Sequence, residues 1–186
     1  MQFKNLTFIA NKHKTDKGTM HYEAHGYTEI YSKYIPSEGR FSLLEIGVWH
    51  GDSIRMWNEY NSDLDLHAID IDPNTYSYLN GSENFKFYLG SQSDETFINE
   101  NLNPINGLDF VIDDGSHDHN DILNSFKFIF PKLKSGGVYF IEDLHATHAQ
   151  KDKLMSNLML EISNRNFILN DCRFFCNGKL LMFQKK

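Results

Sequence analysis

Five short apolar runs, at 41–46, 66–71, 85–89, 108–112 and 138–141, recur along the chain with helix-length segments between them. Short apolar strands separated by helices are the pattern of a parallel sheet covered on both faces, and right-handed crossovers build such units into an open α/β layer. The intervening segments support that reading. A helical pattern runs from Gly47 through Trp57, Pro73 and Asn74 open a short helix, 91–101 reads as a polar helix or turn, and 122–133 and 154–162 have helical spacing. Gly136 and Gly137 turn the chain into the fifth strand. The apolar runs 167–175 and 179–183 then flank Asn177 and Gly178, a strong hairpin signal, so an antiparallel pair closes the sheet. The opening 40 residues are polar, aromatic and His-rich, a loop followed by a helix over 26–34 that Pro36 and Gly39 end. The expected organisation is an arm over 1–40 that contributes to an active-site lid, and one mostly parallel α/β domain over 41–186.

Composition limits what such a domain can partner. Hydrophobic residues make up 40% of 186, enough for a packed core, so the disordered class does not fit. Lys and Arg total 18 against 25 Asp and Glu, a formal charge of -7, which argues against a phosphate-tracking surface and so against nucleic acid. The two cysteines, Cys172 and Cys176, make neither a disulfide framework nor a zinc site and read as core or strand residues. No apolar stretch has the length of a signal or membrane segment, which makes the cytoplasm the default and a membrane partner unexpected.

Chemistry concentrates where the strands end. Glu45, Gly47 and Gly51 follow the first strand and open a helix, where glycines allow close backbone approach and free N–H groups favour a polar or acidic ligand. Their spacing is not GxGxxG, which weakens a dinucleotide reading. Asp70 stands at the second strand's tip, placed to accept bonds from ribose hydroxyls, with Asp72 as its rival. Ser91 and Gln92 follow the third strand, where they would meet an adenine edge. Asp113, Asp114 and His117 after the fourth strand, and Glu142 and Asp143 after the fifth, place several carboxylates in one crevice. Such a group repels itself unless protonated, bonded or bridged by a cation, and an all-oxygen set with open positions suits Mg²⁺. His117 is then a base near neutral pH, although Asp and His after a strand also serve as helix caps. His145 and His148 directly follow the acidic pair, and Tyr22 and Tyr27 lie where they would touch a substrate.

Four stretches, LEIGVWHG at 44–51, IDIDP at 69–73, FVIDDGSH at 110–117 and GGVYFIEDL at 136–144, resemble class I S-adenosylmethionine methyltransferases with a Rossmann-like fold. Within that class they are similar to the metal-dependent sugar O-methyltransferases of macrolide tailoring, with the cephalosporin-hydroxylase-like group as a neighbour. KTDKG at 14–18 and HGY at 25–27 resemble a family segment that helps close the active site. The resemblance implies Asp114, Glu142 and Asp143 as Mg²⁺ ligands and His117 as the base that takes a sugar hydroxyl proton. It implies Glu45, Gly47 and Gly51 at the methionine end of S-adenosylmethionine, Asp70 at its ribose, Ser91 and Gln92 at its base, and Asp113 beside them, with Asp113 and Asp114 interchangeable from sequence alone.

The expected activity is Mg²⁺-dependent methylation of a hydroxyl on a saccharide or glycosylated small molecule. The rivals are a catechol-type methyltransferase, a non-catalytic adenosyl-ligand binder, and a cephalosporin-hydroxylase-like oxygenase. The last fits poorly, since non-haem iron favours two His and one carboxylate. Self-association is left open.

Overall fold

Alternation inside each strand sorts its side chains onto two faces, and in the central strands both faces are buried. The computed structural model describes residues 4–79, 84–105, 107–145 and 147–186, and among them seven strands form one sheet in the order β3-β2-β1-β4-β5-β7-β6. The strands are β1 (Ser42–Ile46), β2 (Asp65–Asp70), β3 (Phe85–Leu89), β4 (Leu108–Asp113), β5 (Leu133–Ile141), β6 (Leu169–Phe175) and β7 (Leu180–Lys185). The first five run parallel, and β7 lies antiparallel to both β5 and β6. Leu43, Phe110, Val138 and Phe140 pack on one face against α1 (Leu6–His13), α2 (Thr28–Tyr31) and α3 (Asp52–Tyr60). Their sequence neighbours Leu44, Val111, Tyr139 and Ile141 pack on the other face against α5 (Glu95–Leu102), α6 (His119–Ile129) and α7 (His148–Asn164). The short α4 (Thr75–Tyr78) follows β2. Among the described residues no helix is long and apolar enough to cross a membrane.

The arrangement is the Rossmann-like, mostly parallel sheet with a terminal antiparallel hairpin that the apolar runs predict. Differences from the sequence reading are local and have local causes. The opening segment is no loop: α1 forms over 6–13, capped by the Asn5 side chain on the Phe8 N–H and buried through Leu6, Ile9 and Ala10. Only 28–31 of the expected 26–34 helix is α-helical. Gly136 and Gly137 do not precede the fifth strand but lie inside β5, where an exposed stretch ends at Gly136 and the pairing with β4 shifts register between Leu108 and Phe110. The 122–133 helix begins at His119 and gives way at 130 to a 3-10 turn containing Pro131. The last helix extends to 148–164 because Thr147 and Gln150 form a reciprocal capping box.

Chain order builds outward from β1 through β2 to β3, then returns to place β4 on the other flank of β1. Between β1 and β4 the two following loops diverge, the topological switch point where open α/β sheets bind ligands.

Candidate active site

Gly47, directly after β1, has φ +82°, and a Cβ there would lie 1.9 Å from the carbonyl oxygen of Asp114, so only glycine lets the two loops touch. Asp70 fastens the same loop from the β2 tip. Its Oδ2 accepts the N–H groups of Val48 at 2.8 Å and Trp49 at 3.0 Å, and its Oδ1 accepts that of Asp72 at 2.9 Å. Two amides expected to be free for a ligand are therefore already bonded. The open amides are those of α3, whose N-cap Gly51 offers no side-chain partner.

Around the switch point lies a cavity of about 610 Å³. Of the residues expected at a cofactor, Gly47, Asp70, Ser91 and Gln92 line it, and Glu45, Gly51 and Asp113 do not. Gly51 turns the chain at φ +76° against Leu79. Asp113, 1% exposed, points into the α6 side, where Gln92 donates to Oδ1 at 3.0 Å while Ser125 and Tyr139 donate to Oδ2. Burial raises its acid to about 6 against the pull of those three donors. Gln92 then spends its amide on framing, accepting the Ser116 N–H at 3.0 Å.

Glu45 lies beneath the cavity in a cage that the sequence reading does not contain. Lys17, 1% exposed, puts its Nζ among three carboxylates: Asp114 Oδ2, Glu142 Oε2 at 2.9 Å and Glu45 Oε1 at 3.5 Å. Tyr31 donates its O–H to the other oxygen of Glu142. Burial alone would push the ammonium down, but the three carboxylates outweigh it and hold Lys17 firmly protonated. One ammonium cannot offset three buried anions, so the carboxylates divide. Burial raises Asp114 less than Lys17 and His117 lower it, and it stays ionised. Burial and the Asp114 charge drive Glu142 well up, and burial takes Glu45 to about 7.

Outside this cage the crevice faces the cavity. His117 Nε2 lies 3.1 Å from Asp114 Oδ1, a bond that raises the imidazole's basicity against its partial burial. The Tyr27 O–H donates to Asp143 Oδ1 at 2.6 Å. One potential ligand atom from each of Asp114, His117 and Asp143 falls within 4.8 Å of the others, and so does a set from Asp16, His25 and Asp143. Glu142 belongs to neither set. His117 and Asp143 hold left-handed φ of +59° and +53° without being glycine, a strain that tends to persist where a site requires it. The cap of α6 is Asp118, which accepts the Asn120 and Asp121 N–H groups, so Asp114 and His117 are not capping residues. His117 and Asp143 also border a second hollow of about 340 Å³, with His119, Leu144, His145 and Gln150. His145 Nε2 stands 3.9 Å from Asp143 Oδ2, while Tyr22 and His148 are exposed.

A Rossmann-like sheet with a glycine loop, a β2-tip acid and carboxylates at β4 and β5 defines a nucleoside-ligand domain. A family model described as "Methyltransferase domain" matches residues 44–144, and the chain belongs to that family. Demethylmacrocin O-methyltransferase of Streptomyces fradiae is 30% identical over 148 residues, 75% of this chain and 36% of that protein. Mycinamicin VI 2''-O-methyltransferase of Micromonospora griseorubida is 30% identical over 149 residues, again 75% and 36%. The chain thus spans a little over a third of the length of these relatives. Among solved structures, the MycE methyltransferase of the mycinamycin pathway, in complex with Mg, SAH and mycinamycin VI, matches with a TM-score of 0.77 at 22% identity, covering 99% of this chain and 55% of that one.

Proposed function

We propose that the chain transfers the methyl group of S-adenosylmethionine to a hydroxyl of a saccharide or glycosylated small molecule, assisted by a divalent cation, Mg²⁺. The observation that carries this reading is the position of His117 and Asp143 between two hollows, one reaching the glycine loop and Asp70, the other opening to solvent beside α7. A donor in the first and an acceptor in the second would meet at that pair. The sugar O-methyltransferase relatives and the Mg and SAH bound to MycE support the same choice of cofactors.

The residues present fit both groups. Asp70, Asp72 and Ser91 would hold the nucleoside, and the uncapped α3 terminus the carboxylate end. Asp114 and Asp143 would hold the cation by single oxygens, leaving positions for water and acceptor oxygen. Glu142, expected as a third ligand, has both oxygens engaged by Tyr31 and Lys17. Bound, the cofactor supplies a methyl already activated by sulfonium, and the cation favours an acceptor alkoxide. The chain's own work is alignment and proton removal: with Nε2–H donated to the Asp114 carboxylate, the other ring nitrogen of His117 takes the hydroxyl proton, and Asp114 stabilises the imidazolium. The amino-terminal arm would close the crevice through Lys17, Tyr27 and Tyr31, which bond to Glu142 and Asp143. The reading is a cytoplasmic one, in keeping with two free cysteines.

Calorimetric titration of metal-stripped protein with S-adenosylmethionine, with and without Mg²⁺ and against NAD, tests the cofactor. Saturable micromolar binding, roughly -8 kcal/mol, with no response to NAD is expected. Absence of binding under both metal conditions would overturn the assignment. A panel of sugar, glycoside and catechol acceptors then tests the substrate class, and methylation of catechols alone would replace it.

A further inference from the structure

The two edges of the sheet are guarded differently. β3, at one edge, has five residues and carries an exposed lysine, Lys86, a common device against edge-to-edge pairing. β6, at the other edge, has seven residues with neither Lys nor Pro, and among the described residues it pairs with β7 alone. Its irregularity is confined to its start, where the register with β7 shifts between Leu169 and Asp171, and 171–175 runs regularly. The outer row of main-chain N–H and C=O groups is thereby a template for another strand. Apolar surface flanks it: Ile168, just before the strand, is 61% exposed, and Phe174 within it 41%. The charges say which strand fits. Cys172 packs with the core under α5, α6 and α7, and Phe175 with the core under α1, α2 and α3, so alternation puts Asp171 and Arg173 on the Phe175 face. Asp171 and Arg173 are ion-paired within the chain, and the guanidinium stands 6.0 Å from the Phe175 ring centre. An antiparallel copy of β6 centred on Cys172 brings residue 171 of each strand opposite residue 173 of the other. Each charge then meets its opposite on the same face.

We propose that β6 is an interface for a second copy of this chain, pairing antiparallel with its counterpart across a two-fold axis at Cys172 so that two seven-stranded sheets become one. Asp171 and Arg173 set the register, because a slip that breaks their cross-strand pairing loses two ion pairs at once by symmetry. β5 and β7 separate β6 from β4, so the switch point between β1 and β4 stays open in such a dimer. The inference does not rest on the proposed methyl transfer.

Sedimentation velocity over a concentration series, with thermal melting to check the fold of each variant, tests this. The unaltered chain is expected to dimerise. Asp171→Arg sets arginine against arginine across the axis and Arg173→Asp sets aspartate against aspartate, and each should weaken the dimer by about tenfold or more. Mixing the two variants should restore association as a heterodimer, because one chain then offers two positive charges to two negative ones. Combining both changes in one chain exchanges the charges, and that chain should dimerise as the unaltered one does. A merely structural ion pair predicts a lower melting temperature in the single variants and no recovery on mixing. A chain that stays monomeric at every concentration would overturn the proposal and leave the edge to a strand of another sequence. A dimer that neither single change weakens would overturn it by placing the contact elsewhere, and so would two folded, monomeric variants that fail to associate when mixed. If one single variant does not fold, the other decides: a loss that the double exchange reverses supports the pairing, and an unchanged dimer overturns it.

Discussion

Asp113 and Asp114 are neighbours in sequence and opposites in environment. Asp113 faces the α6 side, where three neutral donors hold it and no cation approaches. Asp114 faces the arm, where Lys17 and His117 take one oxygen each. Neutral hydrogen bonds fix a carboxylate's geometry but leave burial to raise its acid, to about 6 for Asp113. A buried ammonium keeps Asp114 charged although it too is removed from water. The first arrangement suits a strut and the second a group that must face a cation or an imidazolium. The same split recurs one strand over, where Glu142 points into the cage and Asp143 toward the cavity.

The largest expected effect falls on the Asp114 side. His117→Ala should lower turnover by about 10²–10⁴-fold with S-adenosylmethionine affinity nearly unchanged, and a preserved rate on the methylated acceptor would remove His117 as the base. Asp114→Asn should follow with a comparable loss of turnover and a weakened response to added Mg²⁺, while the melting temperature changes little. Full metal-dependent activity in that variant would break the contrast. On the Asp113 side the effect should appear in stability instead. Asp113→Ala removes the acceptor shared by the Gln92, Ser125 and Tyr139 donors in the core, leaves only their longer contacts through Ser125, and should cost about 3 kcal/mol in denaturant unfolding. Loss of turnover without loss of stability would make Asp113 a site residue after all.

The smallest effect sharpens the comparison through pH. Asp113 binds its proton more tightly folded than unfolded, so the folded state carries more protons between its ordinary value near 4 and about 6. Its contribution to stability is therefore greatest at low pH and is lost as pH rises through that window. Asp113→Asn should flatten this part of the stability curve, read as melting temperature from pH 4 to 7, and an unchanged slope would contradict the assigned environment.

Much of the fold was legible because it follows from periodicity. The runs 66–71, 85–89 and 108–112 lie within a residue of β2, β3 and β4, and Asn177 with Gly178 marked the hairpin turn through positive φ. The strand tips were legible for the same reason, since a parallel sheet brings the residues after β1, β4 and β5 to one edge. α1 escaped notice because it spans only 8 residues and gains its stability from packing on α3. The motifs KTDKG and HGY pointed to the arm as a part that helps close the site, but they gave Lys17 no role of its own, and Tyr31 carries no signal beyond helical spacing.

By itself the sequence determined the sheet, the switch point and the set of carboxylates, because strand period and turn chemistry are local properties. Tertiary structure alone decided which carboxylates face the cavity. That choice depends on Lys17, 97 residues from Asp114 and 125 from Glu142, arriving in a buried cage where charges must balance without water.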